Sequence, residues 1–153
     1  MFTTDVIKVK SGVFQGDTLS PTLFSLVFNQ VLKYLNSEKK HGLSLKNQDV
    51  ISLAFADDLT LTCKDARSAQ RILNNVEEKL SKINLVIKSS KCFTYSLKSG
   101  CFDKTRKFKV RGTPVDNIDD KPMKFLGQNI FQTPILKRCY TSRLQTRHFA
   151  PKR

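Results

Sequence analysis

The sequence predicts an α+β fold, an antiparallel sheet with helices packed on one face, and three observations carry that prediction. Leu53 to Leu61 reads LAFADDLTL, with period-two alternation on both sides of a short acidic step, as a hairpin of half-buried strands does. Two longer stretches, 20–36 and 64–83, repeat apolar residues at helical spacing instead. After Val86 short strand-like runs follow one another, separated by Gly, Pro and Asp.

In chain order, Asp5 to Lys10 (DVIKVK) suits a short strand, and GVFQGDT forms a polar loop with two glycines. Ser20-Pro21 reads as a helix start, with Ser capping orphan amides and Pro at the first helical position. Leu23, Phe24, Val27, Phe28, Val31, Leu32 and Leu35 then keep helical spacing around much of the girth, which places this helix under a sheet. SEKKHG ends it, and an extended piece near 43–45 leads to the hairpin. Lys64-Asp65 opens a second helix whose stripe is Ala66, Ala69, Ile72, Leu73, Val76, Leu80 and Ile83. VIK, CFTYSL, KFKVRG and MKFLGQNI are the later strands, and beyond Ile130 the periodicity weakens into a basic tail.

Composition narrows the function classes. With 153 residues, 39% apolar side chains and eleven Phe, the chain suits one globular domain with a real core. No apolar run approaches the roughly 18 residues of a membrane span, and the charged start does not suit a signal peptide. An intracellular protein, in nucleus or cytoplasm and not secreted, is expected. The four cysteines lack Cys-x-x-Cys spacing and there are two histidines, so reduced thiols are expected rather than a zinc site. The net charge of +14 is uneven: residues 1–50 carry +2, residues 51–102 +3 and residues 103–153 +9. Such a field suits a polyanion held by phosphate contacts, or else a solvated surface.

Asp57 and Asp58 stand out in this frame. Adjacent carboxylates on stiff β structure repel each other and are commonly neutralised by a cation, although Asp is also frequent in plain turns.

Several stretches together carry a family resemblance. Gly12 to Phe24 (GVFQGDTLSPTLF), Phe55 to Asp58 (FADD), Leu85 to Cys92 (LVIKSSKC) and Lys124 to Gly127 (KFLG) resemble, in order, motifs of reverse transcriptases, most closely those of non-LTR retrotransposons. The resemblance implies a polymerase palm over residues 1–131, without fingers, and a basic tail or thumb stub, poorly ordered, over 132–153. It implies an RNA template, a DNA primer and deoxynucleotides as partners, with no membrane and no small-molecule cofactor. It implies Mg²⁺ on Asp57 and Asp58, with Asp57 the surer ligand. Gln15, Gly16, Asp17, Ser20 and Pro21 would meet the nucleotide or template. Lys91 would protonate the leaving pyrophosphate, with Lys88 as second choice, and Phe125, Leu126 and Gly127 would grip the primer.

Two departures stand out: Thr18 where the family has Pro, and Asn84 where it has Gly. The family's other essential carboxylate lies on a strand well before the QGD loop, and only eleven residues precede Gly12 here. The expected function is therefore a fragment of an RNA-directed DNA polymerase that is inactive as this chain alone. The alternative is a non-catalytic nucleic-acid-binding remnant of a palm. A small basic RNA binder of ribosomal type, matching by accident, is the remaining reading.

Overall fold

A computed structural model describes residues 12–98, 101–103 and 105–117, and the backbone of strands at 123–125, 128–130, 142–146 and 149–151. The expected strand at 5–10 lies outside these residues.

Helix α1 spans Ser20–Ser37. Ser20 does not cap it: it is the first helical residue and is buried, while Leu19 takes the cap position without a side-chain cap. Asp17 does the local work instead, its Oδ1 accepting the Leu19 amide at 3.2 Å. Phe28, Val31 and Leu35 face the core. Leu19, Leu23, Leu26 and Val27 are open to solvent. The expected packing of α1 against a sheet therefore involves its Phe28, Val31 and Leu35 face, while the side carrying Leu19, Leu23, Leu26 and Val27 is exposed.

After a 3-10 turn at Lys39–His41, β1 (Leu43–Leu45) and β2 (Gln48–Val50) form a small hairpin. β3 (Ser52–Phe55) and β4 (Asp58–Cys63) form the second, tighter one. Helix α2 (Ala66–Lys82) begins with a true cap: Asp65 Oδ1 accepts the Ser68 amide at 2.8 Å. It stops at Ile83, and Asn84 follows with φ +57°. That left-handed position explains how Asn replaces a Gly there, since Asn tolerates it better than most residues.

The remaining strands are short. β5 (Leu85–Ile87) precedes a 3-10 turn at Ser89–Lys91, then come β6 (Phe93–Tyr95), β7 (Leu97–Lys98), β8 (Cys101–Phe102), β9 (Lys109–Val110), β10 (Thr113–Pro114) and β11 (Asp116–Asn117). β12 (Met123–Phe125), β13 (Gln128–Ile130), β14 (Ser142–Thr146) and β15 (Phe149–Pro151) complete them. The main sheet has the order β11-β6-β14-β4-β3. It is antiparallel except at one edge, where β11 runs parallel to β6. β14 comes from the segment expected to be a basic tail, and it occupies the centre of the sheet.

One core joins the layers. Leu59, Leu61 and Cys63 of β4 meet Ile72, Leu73, Val76 and Leu80 of α2 and Phe28, Val31 and Leu35 of α1, each almost fully buried. At about 1.5–3 kcal/mol for each large apolar side chain, this cluster is the main stabilising element. Polar contacts fix how the helices meet. Arg71 clasps Glu38 with both terminal nitrogens, at 2.8 and 3.3 Å, and Asn75 donates to the Tyr34 hydroxyl at 2.7 Å.

Candidate active site

The FADD box folds as a two-residue hairpin loop. Ala56 and Asp57 are the loop residues, and Phe55 pairs with Asp58 as the closing pair. Two-residue loops that match strand twist need a positive φ, and here Ala56 supplies it at φ +50°. A non-glycine residue there costs about 1–2 kcal/mol. It persists because the ladder on both sides holds it, a pattern common where strands present functional groups.

Register decides which way each side chain faces. Ser52 pairs with Leu61, Leu53 with Thr60, Ala54 with Leu59 and Phe55 with Asp58. Directly opposed residues share a face, so Ala54 lies with Leu59 and Leu61 toward the helices. Leu53 and Phe55 lie on the other face with Asp58 and Thr60. The sequence reading placed all four apolar residues in half-buried strands. The structure instead buries Leu59 and Leu61 and leaves Leu53 49% and Phe55 68% exposed. β3 is the edge strand of the sheet, whereas Thr60, on the same face but one strand further in, is buried.

Asp57 and Asp58 are half-buried, and both start from one end of a strand whose other five residues are fully buried. Thr62 ties that strand to the preceding arm, donating through its hydroxyl to the Val50 carbonyl at 2.6 Å and through its amide to that of Ile51 at 2.9 Å. The carboxylates are thus rigidly based and reachable by solvent. Two hard oxygen donors suit a divalent cation such as Mg²⁺ that keeps several waters. Among the described residues, however, no group of three or more His, Cys, Asp or Glu side chains could hold a metal ion. The pair fits such an ion only in part.

The other expected site residues are placed separately. Gln15, Gly16 and Asp17 form an exposed turn in which the Asp17 amide reaches the Phe14 carbonyl at 3.5 Å. Gly16 has φ +96°, a conformation a side chain would strain. Ser20 and Pro21 belong to the first turn of α1, a helix that later contacts β3. Lys91 ends the 3-10 turn after β5 and is exposed, as is Lys88 before it. Among the described residues no hydrogen bond or ion pair joins Gln15, Asp17 or Lys91 to the hairpin tip. Phe125 ends β12 with its backbone opposite Gln128, whereas Leu126 and Gly127 lie outside the described residues. Phe14, 64% exposed beside Gln15, is an exposed aromatic that sequence reasoning passed over; its place inside the QGD loop was the available signal.

Among the described residues, no helix is long and apolar enough to cross a membrane. No solved structure matches the chain significantly. Curated proteins do. Over 87 residues the chain is 40% identical to the Retrovirus-related Pol polyprotein from type-2 retrotransposable element R2DM of Drosophila melanogaster, covering 57% of this chain and 8% of that protein. Over 122 residues it is 36% identical to the Retrovirus-related Pol polyprotein from type-1 retrotransposable element R2 of Nasonia vitripennis, covering 79% of this chain and 11% of that one. The chain therefore spans about a tenth of the length of these relatives. The family model for reverse transcriptase (RNA-dependent DNA polymerase) matches residues 2–130. With that match around the FADD hairpin and the QGD loop, the chain belongs to the reverse transcriptase family, of the non-LTR retrotransposon type, as part of its domain.

Proposed function

We propose that this chain is the palm portion of an RNA-directed DNA polymerase, and that it presents Asp57 and Asp58 to a Mg²⁺-dependent nucleotidyl transfer extending a DNA primer on an RNA template. The observation that carries this reading is the FADD hairpin, which holds two adjacent carboxylates on a left-handed Ala56 at the end of a buried strand. Phosphoryl transfer asks for positioning and neutralisation of charge more than covalent chemistry, and carboxylate-held metal ions supply both. Asp57 is the main metal-facing group and Asp58 its neighbour. Gln15, Gly16, Asp17, Ser20 and Pro21 meet the incoming nucleotide or template, Phe125 to Gly127 the primer, and Lys91 the leaving group. On this reading residues 1–131 form the palm unit and 132–153 a basic tail or thumb stub that lends it the central strand β14.

Two carboxylates do not make a two-metal cage, so the chain alone does not polymerise and gains activity only where further carboxylates are supplied. The same shortage favours a second reading, a remnant that binds nucleic acid without catalysis. Primer extension with and without Mg²⁺ tests both. The isolated chain should incorporate no nucleotide, and Mg²⁺-dependent extension abolished by Asp57→Ala would refute its inactivity. In a longer protein that carries this segment, Asp57→Ala should slow extension about a thousandfold, the scale of several kcal/mol of lost metal assistance. An unchanged rate there would leave only the non-catalytic reading.

A further inference from the structure

Strand β3 is an edge of the main sheet, and its ladder shows which backbone groups are left over. The Thr62 amide donates to the Ile51 carbonyl at 2.9 Å, so Ile51 turns its backbone groups toward β4. Successive residues of a strand turn them to alternate sides. Leu53 and Phe55 therefore do as Ile51 does, Phe55 closing the two-residue hairpin with Asp58. Val50, Ser52 and Ala54 turn theirs the other way. On that side Leu43 of β1 meets Val50, whereas no described strand pairs with Ser52 or Ala54. An amide and a carbonyl of each are thus left on an open edge, the same side of the arm that already takes a strand at Val50.

A groove of about 520 Å³ lies between α1 and this arm, with Ser52 and Ala54 in its wall. Asn29, Lys33 and Asn36 face it from α1 at i, i+4, i+7 spacing, and Lys39 from the following turn. Lys33 and Lys39 form no ion pair with any described residue. The acid of the lining, Asp49, is engaged by Lys64 at 3.3 Å and by the Ser44 hydroxyl. Directly opposed residues share a face. In a strand added along β3, residues opposite Ser52 and Ala54 would point into this cationic, donor-rich groove, and the alternate ones would lie beside the exposed Leu53 and Phe55. A second copy of this chain is a poor occupant: it brings the same lysines, a net charge of +14 and, in Ser52–Phe55, no acid. We propose that the β3 edge docks an extended segment of a partner protein in which acidic and apolar residues alternate, added antiparallel to Ser52–Phe55. Main-chain hydrogen bonds give an added strand its hold, and alternate side chains give it specificity. The site needs nothing from Asp57 or Asp58, so it goes beyond the polymerase reading and is tested apart from it.

The test is fluorescence anisotropy of the full chain with a labelled peptide of alternating Glu and Val. In the proposed register the Glu residues exchange backbone hydrogen bonds with Ser52 and Ala54, and the Val residues turn their amides to solvent. N-methylation of the Glu amides should therefore weaken binding about tenfold or more, and N-methylation of the Val amides by less than about threefold. Lys33→Gln/Lys39→Gln should weaken it about tenfold, the scale of two exposed ion pairs. The control is Lys98→Gln/Lys107→Gln, an equal loss of charge outside the groove, which should weaken it by less than about threefold. All four lysines are exposed, so circular dichroism should show the fold intact. Equal effects of the two methylation patterns, or of the two lysine pairs, mean that net charge alone holds the peptide and overturn the proposal. A groove variant that loses single-stranded RNA but keeps the peptide assigns the lysines to nucleic acid and also overturns it. So does a wild-type chain that leaves the unmethylated peptide unbound, and none of these results alters the outcome of primer extension.

Discussion

Ala56 offers the sharpest test of the site's architecture, because one backbone angle sets the direction of both carboxylates. It sits at φ +50° in the two-residue loop, closed by Phe55 and Asp58. The left-handed conformation costs a non-glycine residue about 1–2 kcal/mol, and glycine almost nothing. Glycine in turn loses about 0.4–1 kcal/mol more than alanine through the entropy of the unfolded chain. Ala56→Gly should therefore stabilise by about 0.5 kcal/mol, which for a domain of this size raises Tm by about 1–2 °C. Ala56→Asn should be near neutral, since asparagine visits this region readily. Ala56→Val should lose about 1–2 kcal/mol, because a β-branched side chain is a genuine outlier at positive φ. Thermal melting by circular dichroism across the four side chains should thus give the order Gly, Asn, Ala, Val, with about 4–8 °C between the ends. A valine variant as stable as wild type, or a glycine variant more than 1 kcal/mol weaker, would refute a left-handed Ala56.

Four further outcomes are expected. A Cβ on Gly42 would stand 2.4 Å from the Val50 carbonyl oxygen, so Gly42→Ala should cost about 1–3 kcal/mol of overpacking, read as a lower denaturant midpoint at unchanged slope. Among the described residues the buried Thr94 hydroxyl has no hydrogen-bond partner; Thr94→Val should stabilise by about 1 kcal/mol, and a loss of more than 0.5 kcal/mol would contradict that isolation. Burial pushes the thiols of Cys63 and Cys92 up to about 12. In a Cys101→Ser/Cys139→Ser background, both should resist a disulfide reagent at pH 8 until the chain unfolds. Hydrogen bonds from Arg71 hold the Glu38 carboxyl below its usual range, so its stabilisation is present above the ordinary value of 4.5 and fades as pH falls. Arg71→Gln should lower Tm by about 1–3 °C at pH 7 and by far less at pH 3.

Both helices were legible because their apolar stripes are long and the caps are local. Asp65 and the ending at Ile83 match the expected α2 closely. The hairpin's position was equally legible, since alternation flanked an acidic step. Its faces were not. Alternation on each side of a turn does not say whether Leu53 and Leu59 point the same way; the length of the loop does. A two-residue loop pairs odd positions with even ones, and so sends Phe55 to the face of Asp58 rather than to that of Leu59. Ser20 shows a second limit. A Ser-Pro step is a helix-start signal, but Asp17, two residues before Leu19, competed for the cap region and left Ser20 inside the helix.

The hardest element to read was β14, and burial explains why it exists. Every residue of β4 from Leu59 to Cys63 is buried, so the amides and carbonyls on both its sides need partners inside the protein. β3 pairs along one side. Because β4 and β6 both run antiparallel to β14, they are parallel to each other, joined through α2, with one strand's width between them. That gap demands a strand antiparallel to both, and the backbone of Ser142–Thr146 meets the demand opposite Cys63 to Leu59. Its sequence, SRLQT, has one apolar residue and no alternation. Such a strand is specified by the vacancy its neighbours create rather than by its own side chains, so local pattern could not announce it. The rigidity of the FADD hairpin then depends on a segment more than eighty residues away, because β14 closes the ladder of the strand on which Asp58 begins.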